Sequence, residues 1–599
     1  MGDYTTNIYQ GGYSALDPNK SYGSVFSGYN VTAGSLGIAT DPRTANVIKD
    51  VSTKLASGAK HIELSLVSPQ IFDSVPKEQL KEVNRQAKLL NVDVSVHGPI
   101  VEPTGITQQG FNEINREASE RVIADAIQRS HDVNPNGNVP VVFHSSAQIP
   151  GTEWKEIPWT EKGIKGKAKQ LIAVNKESGQ MIPLREELKF YPGKEFKEKG
   201  KPYSPEENLD MANRTEWDNK ISQLFFNKER ADEILQQNEK PIEYLMDYIE
   251  EQRKKGKKPM LTETQEQVYA KFQDAANYIK DVDMHARGIF SRAYEFGDEN
   301  QRKILKQINE TYKEDLEKYG KNSIAGQSRA MHKLLASLQS PELTPRMYVP
   351  IEEFAVDKSS QTFGNAAFNA FNKFKDANKT PMIVIENPPA GGGLSTGEDL
   401  KNLVIKSREQ FVKKAVKEKH MSESEAKRIA EKLIGATWDV GHINMLRKQG
   451  FEEKHIIEET EKIAPFVKHV HLSDNFGMEH TELPMGMGNV PMKEIMKKLG
   501  QKGFEAKKII EAGNWWQHFQ TNPFLPTIEN FGSPIYATGL GPYWNQGIQL
   551  QEGYFGGYGM MLPQINYQTF GAGFSQLPAE LGGQIGGAKS GRMSGRPME

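Results

Sequence analysis

Histidines and carboxylates recur in this chain at one kind of place, the end of a short apolar run. His97 closes Val94-Ser95-Val96-His97-Gly98, and His144 closes Val141-Val142-Phe143-His144. Glu386 closes Ile383-Val384-Ile385-Glu386. Asp439 closes Thr437-Trp438-Asp439, with His442 three residues on. His469 and His471 lie in Lys468-His469-Val470-His471-Leu472, and Glu511 closes Ile509-Ile510-Glu511. Imidazoles and carboxylates brought to one place repel or desolvate one another unless a cation holds them, so the set points to a divalent metal. The 599 residues include no cysteine, so its ligands must be nitrogen and oxygen, a shell suited to Mn, Co, Mg or Zn. The same absence excludes disulfides, thiolate nucleophiles and iron–sulfur ligation.

The apolar runs are the elements that must position these groups. Candidate strands at 36–39, 61–66, 92–96 and 139–143 alternate with segments of helical period, such as Leu80, Val83, Ala87 and Leu90. The rhythm breaks after Gly151 and resumes near Ser359, with further strands at 382–385, 437–438, 467–472 and 508–510. Short strands apolar on both faces and joined by helices imply parallel pairing. Eight such units make a (β/α)8 TIM barrel, the predicted fold; a doubly wound sheet with two extra strands is the competing architecture. Because every strand of a parallel barrel opens its C-terminal end on one face, the strand-end residues above meet at a single mouth. Side chains alternate along a strand, so His469 and His471 share a side; His471, nearer the end, is the candidate ligand and His469 lies deeper.

The predicted organisation has five parts: an irregular arm (1–33), the first half-barrel (34–150), a polar, mostly helical insertion (151–354), the second half-barrel (355–531) and a low-complexity tail rich in Gly, Gln and aromatics (532–599). The insertion leaves directly after His144 and is expected to overhang the mouth. The ends offer one route to a homo-oligomer. Charged residues make up 25% and net charge is −2, a balance that does not advertise nucleic acid or an anionic membrane as partner. No apolar run reaches the roughly 18–20 residues of a spanning helix, and no signal segment opens the chain, so the expected location is the cytoplasm.

The series HGP, FHSS, IENPP, TWDVGH, HVHLSDN, ELPMGMGNVP and IIEAG resembles the xylose isomerase-like TIM-barrel superfamily over about 34–150 and 355–530. That group contains sugar-phosphate isomerases and epimerases and the endonuclease IV type of apurinic endonuclease. The resemblance implies a metal held by Glu386, Asp439, His471 and Glu511. In three-metal members, a second metal uses His97 and His144 and shares Glu386, and a third uses His442 with an Asp-x-His pair. This chain has His480 where the family has Asp and Glu482 where it has His. His480 with His442 then either binds a metal or holds substrate, and Glu482 is either a ligand or a surface carboxylate.

Two activities follow as expectations, with one metal expected and up to three accommodated. The first is isomerisation or epimerisation of a sugar or sugar phosphate, in which Glu386 and Glu511 move a proton beside a polarised carbonyl while His442 and His97 hold substrate oxygens. The second is phosphodiester hydrolysis of the apurinic endonuclease type, the one reading that makes DNA a partner. The even charge balance and the altered Asp-x-His segment weigh against it.

Overall fold

A computed structural model describes residues 36–513 apart from 57–58, 148, 155–167, 189–202 and 320–322, together with 515, 523, 527, 592–593 and 596–597. Residues 1–33 and most of 532–599, read above as arm and tail, lie outside the described residues. The described residues fall into two compact units, one within 167–349 and one made of the flanking pieces.

The flanking unit is a closed barrel. Its first half contributes strands β1 (Leu36–Ala39), β2 (His61–Ser65), β3 (Asp93–His97) and β4 (Pro140–His144), with helices α1 (Val47–Leu55), α2 (Lys77–Leu90) and α3 (Glu113–Ser130) between them. The segment 167–349 carries a hairpin of β5 (Ala168–Asn175) and β6 (Met181–Arg185). Five helices follow it: α4 (Pro205–Gln237), α5 (Glu239–Lys254), α6 (Glu263–Phe296), α7 (Glu299–Tyr319) and α8 (Ile324–Leu338). The barrel then resumes with α9 (Ile351–Phe374), β7 (Met382–Glu386), α10 (Gly397–Lys419), α11 (Glu423–Leu433), β8 (Ile434–Asp439) and a short helix α12 (Val440–Asn444). It ends with α13 (Glu453–Ile463), β9 (Val467–Leu472), α14 (Met492–Glu505) and β10 (Lys507–Ile510).

The order around the barrel is β1-β10-β9-β8-β7-β4-β3-β2, and every neighbouring pair is parallel. The expected TIM barrel is therefore present, and the large insertion falls between its fourth and fifth strands. Strand interiors are apolar because both faces are covered: Ile383, Val384 and Ile385 of β7 are all fully buried. Helix α2 shows the matching one-sided pattern, burying Leu80, Val83 and Ala87. Capping sets several helix starts; Thr396 and Asp399 exchange hydrogen bonds at the beginning of α10. The inserted unit has a core of its own, in which Trp217, Ile221 and Leu224 of α4 pack with Val282, Ala286 and Ile289 of α6 and Leu334, Leu335 and Leu338 of α8. No helix among the described residues is long and apolar enough to cross a membrane.

Helix α9 begins at Ile351 rather than at the expected Ser359. Pro350 precedes it, Glu352 and Glu353 fill its first turn, and Phe354, Ala355 and Val356 are buried there, so the start is set by packing and end charge.

Candidate metal centre

Register brings the strand-end residues together. Glu386 pairs across to His144 on one side and Thr437 on the other, and Asp439 sits opposite His471. Glu511 lies one residue past β10, its backbone N–H donating to Leu472 O at 3.0 Å. Glu386, Asp439, His471 and Glu511 can each offer a ligand atom with all four atoms within 4.8 Å of one another. His97, Glu386 and His471 form a second such group.

Glu386 is the hub. Its Oε2 faces His97 Nε2 at 3.1 Å and His144 Nε2 at 3.4 Å, and its Oε1 faces His471 Nδ1 at 2.8 Å and His442 Nδ1 at 3.7 Å. Burial opposes its ionisation, but His471, His144 and His97 together hold the carboxyl well below the ordinary range. Burial likewise opposes the charge on His97, yet the hydrogen bond and charge of Glu386 raise it to about 9. Asp439 goes the other way. Burial and the charges of Glu511 and Glu386 push its carboxyl well above the usual value.

The donor set fits a cation. His471 Nδ1 lies 2.8 Å from Glu386 Oε1 and 2.7 Å from Glu511 Oε2, and it can carry only one hydrogen. Glu511 Oε2 is left buried without a hydrogen bond beside that same nitrogen. A proton satisfies one of these carboxylates; a divalent ion among three carboxylates and a ring nitrogen satisfies all of them, with oxygen and nitrogen ligands suited to Mn, Co, Mg or Zn.

Local backbone geometry fixes Asp439 and His442. Asp439 Oδ1 caps α12 by accepting the His442 backbone N–H at 2.7 Å, and it also accepts the Ser473 hydroxyl at 3.0 Å. Gly441 permits this approach: a Cβ there would fall 2.1 Å from Ser473 Oγ. His442 Nδ1 donates to Asn387 O at 2.7 Å, which turns Nε2 toward His480 Nε2, also at 2.7 Å. Burial and His480 push His442 down to about 3.

His480 and Glu482 sit on the loop after β9, with 3.5 Å between His480 Nε2 and Glu482 Oε1. The loop is tied by Asp474, whose carboxylate accepts backbone N–H groups from Asn475, Gly486 and Val490 at 2.7–3.1 Å. Among the described residues, the groups of ligand atoms that could hold a metal include neither His144 nor His442, His480 or Glu482.

One buried group escaped the sequence reading. Glu63, in the middle of β2, is fully buried, with Oε1 3.0 Å from His471 Nε2 and Oε2 3.3 Å from His469 Nε2. The signal was an acidic residue inside an apolar strand, Ile62-Glu63-Leu64, where an unpaired charge is not tolerated. His469 does lie deeper, fully buried and pushed down to about 3, chiefly by burial.

Residues 410–521 match the family described as xylose isomerase-like TIM barrel. The closed parallel barrel to which these residues contribute is the fold that the family's description names. An uncharacterized protein of Methanocaldococcus jannaschii is 32% identical over 88 residues, which span 15% of this chain and 29% of that relative. The crystal structure of a D-tagatose 3-epimerase-like protein superposes with a TM-score of 0.34 at 12% identity, covering 82% of this chain and 94% of its own.

Proposed function

We propose that this protein is a divalent-metal-dependent isomerase or epimerase of a sugar or sugar phosphate. The observation that carries the reading is the group of Glu386, Asp439, His471 and Glu511 at the C-terminal ends of neighbouring barrel strands, with two carboxylates on one imidazole nitrogen. Those four residues would hold the ion, which when bound supplies polarisation of a carbonyl and its neighbouring hydroxyl. Glu386 and Glu511 are the proton carriers: one removes the proton from the carbon beside the carbonyl and either one returns it. His97 and His442 orient substrate oxygens. His442 is held for that role by Asn387 O, which fixes its ring and leaves Nε2 for a partner.

The test is solvent exchange. The full chain, loaded with Mn or Co, is incubated in heavy water with aldoses, ketoses and their phosphates. A substrate should gain deuterium at the carbon beside its carbonyl, and metal analysis should return one ion per chain. The absence of exchange with every compound would overturn the reading.

A second reading, metal-dependent incision of abasic-site DNA, is favoured by one observation: His97 and His144 both face Glu386 Oε2 and could complete a second site. Three ions per chain together with strand incision at an abasic site would put it first.

A further inference from the structure

Beneath the proposed metal ligands lies a buried cluster with no place in the chemistry above. Glu63 of β2, Ser95 of β3 and His469 of β9 are fully buried, and His61 nearly so. Glu63 and Ser95 are direct neighbours across β2 and β3. The Ser95 hydroxyl donates to Glu63 Oε2 at 2.9 Å, and it lies 3.1 Å from His61 Nε2 and 3.3 Å from His469 Nε2. A hydroxyl that donates to a carboxylate can accept from the rings, so the serine occupies one carboxylate oxygen and turns the other outward. That other oxygen, Oε1, lies 3.0 Å from His471 Nε2.

His471 is thus gripped at both nitrogens. Nδ1 faces Glu386 and Glu511, and Nε2 faces Glu63. The Nε2–Oε1 distance suits a hydrogen bond, and neither atom is hydrogen-bonded to any other group. An imidazole can use one nitrogen as a ligand only when the other carries the hydrogen, and a carboxylate placed behind it selects that tautomer. We infer that Glu63, held by Ser95, is the positioning residue of the metal centre: it keeps the hydrogen of His471 on Nε2 and so leaves the Nδ1 lone pair to the cation. The inference rests on the proposed metal site and adds to it a residue three strands away from β9 around the barrel.

The test uses zinc and the full chain. Titration calorimetry against a competing chelator measures zinc affinity for the wild type, Glu63→Leu, Glu63→Gln and Glu386→Gln. Glu63→Leu should weaken zinc binding about 10–100-fold with stoichiometry unchanged. Glu63→Gln should lose less, because its amide oxygen still accepts from Nε2–H. Glu386→Gln removes a ligand and should lose the most. Nitrogen-15 spectra of histidine-labelled, zinc-loaded wild type should assign Nε2 of His471 as protonated and Nδ1 as metal-bound, a signature that a merely structural glutamate would not set. This measurement needs no variant and decides the matter if Glu63→Leu does not fold. Tight zinc binding by a folded Glu63→Leu chain, or the opposite tautomer in the wild type, would overturn the role of Glu63 and leave the metal site standing. A wild type that binds no zinc, Mn or Co would overturn both.

Discussion

Replacing Gly441 with alanine is the sharpest test of how the mouth of the barrel is built. The new methyl would fall 2.1 Å from Ser473 Oγ and 2.9 Å from Ser473 O. An ordinary contact requires more than 3 Å, so something must move by about an ångström. If the serine hydroxyl rotates away, Asp439 loses a hydrogen bond to a carboxylate, a loss of about 1.5–3 kcal/mol. If the backbone moves instead, overpacking costs about 1–3 kcal/mol and carries His442 with it. Either route predicts destabilisation of about 1–3 kcal/mol, or roughly 2–12 °C in the melting of the barrel. Denaturant unfolding of Gly441→Ala, Ser473→Ala and the double variant completes a cycle. The double variant should be less destabilised than the sum of the singles by about 1–2 kcal/mol, because the offending oxygen is already gone. Additivity within about 0.5 kcal/mol would refute the contact as the cause.

Glu386→Gln and Glu511→Gln should each lower kcat/KM on the substrate found by solvent exchange at least ~100-fold, the scale of a lost general base, while circular dichroism stays native. Lys508 is buried in β10 and its ammonium is pushed down to about 8 by burial, from an ordinary 10.5. The unfolded chain therefore keeps a proton that the folded chain releases between about pH 8 and pH 10.5, so stability should rise with pH across that window. The shift corresponds to at most about 3 kcal/mol, so Lys508→Met should stabilise the barrel at pH 7 by about 1–3 kcal/mol and flatten the profile, as read by urea unfolding. Trp217→Ala empties the core of the inserted unit and frees Leu338 O from its 2.9 Å hydrogen bond. Hydrogen exchange in α4 and α8 should accelerate as about 3–5 kcal/mol is lost.

Strand-end chemistry was readable because a parallel barrel converts sequence position into spatial position. Any residue closing an apolar run arrives at the same face, which is why His97, His144, Glu386, Asp439, His471 and Glu511 could be grouped before any distance was known, while the choice of Glu386, Asp439, His471 and Glu511 as ligands came from the family resemblance. Glu63 could not be grouped that way. It sits in mid-strand, and its partners His469 and His471 lie some four hundred residues later, beyond the reach of local periodicity. The strand ending at Asp439 was read as two residues because Ile434 fits the apolar period of α11 and Gly435 has no side chain to show which period it follows. In the structure Ile434 opens β8, and a Cβ on Gly435 would run into the Lys468 side chain. Within α14 the helical path is interrupted at Gly500, which takes φ +54°, ψ −136°.

The pairing of β4 with β7 joins strands separated by about 240 residues of chain. On a ribosome adding roughly 5–20 residues per second, the first four strands would wait some 10–50 s for their neighbours. Throughout that interval the half-barrel has two bare edges, at β1 and at β4, each a row of backbone donors and acceptors open to a second nascent chain. Among the described residues, what emerges meanwhile is mostly helix, built on short-range contacts that form quickly, with a small sheet beside it. The position of the insertion thus makes the period before barrel closure, rather than the finished fold, the stage at which this protein is most exposed to misassembly.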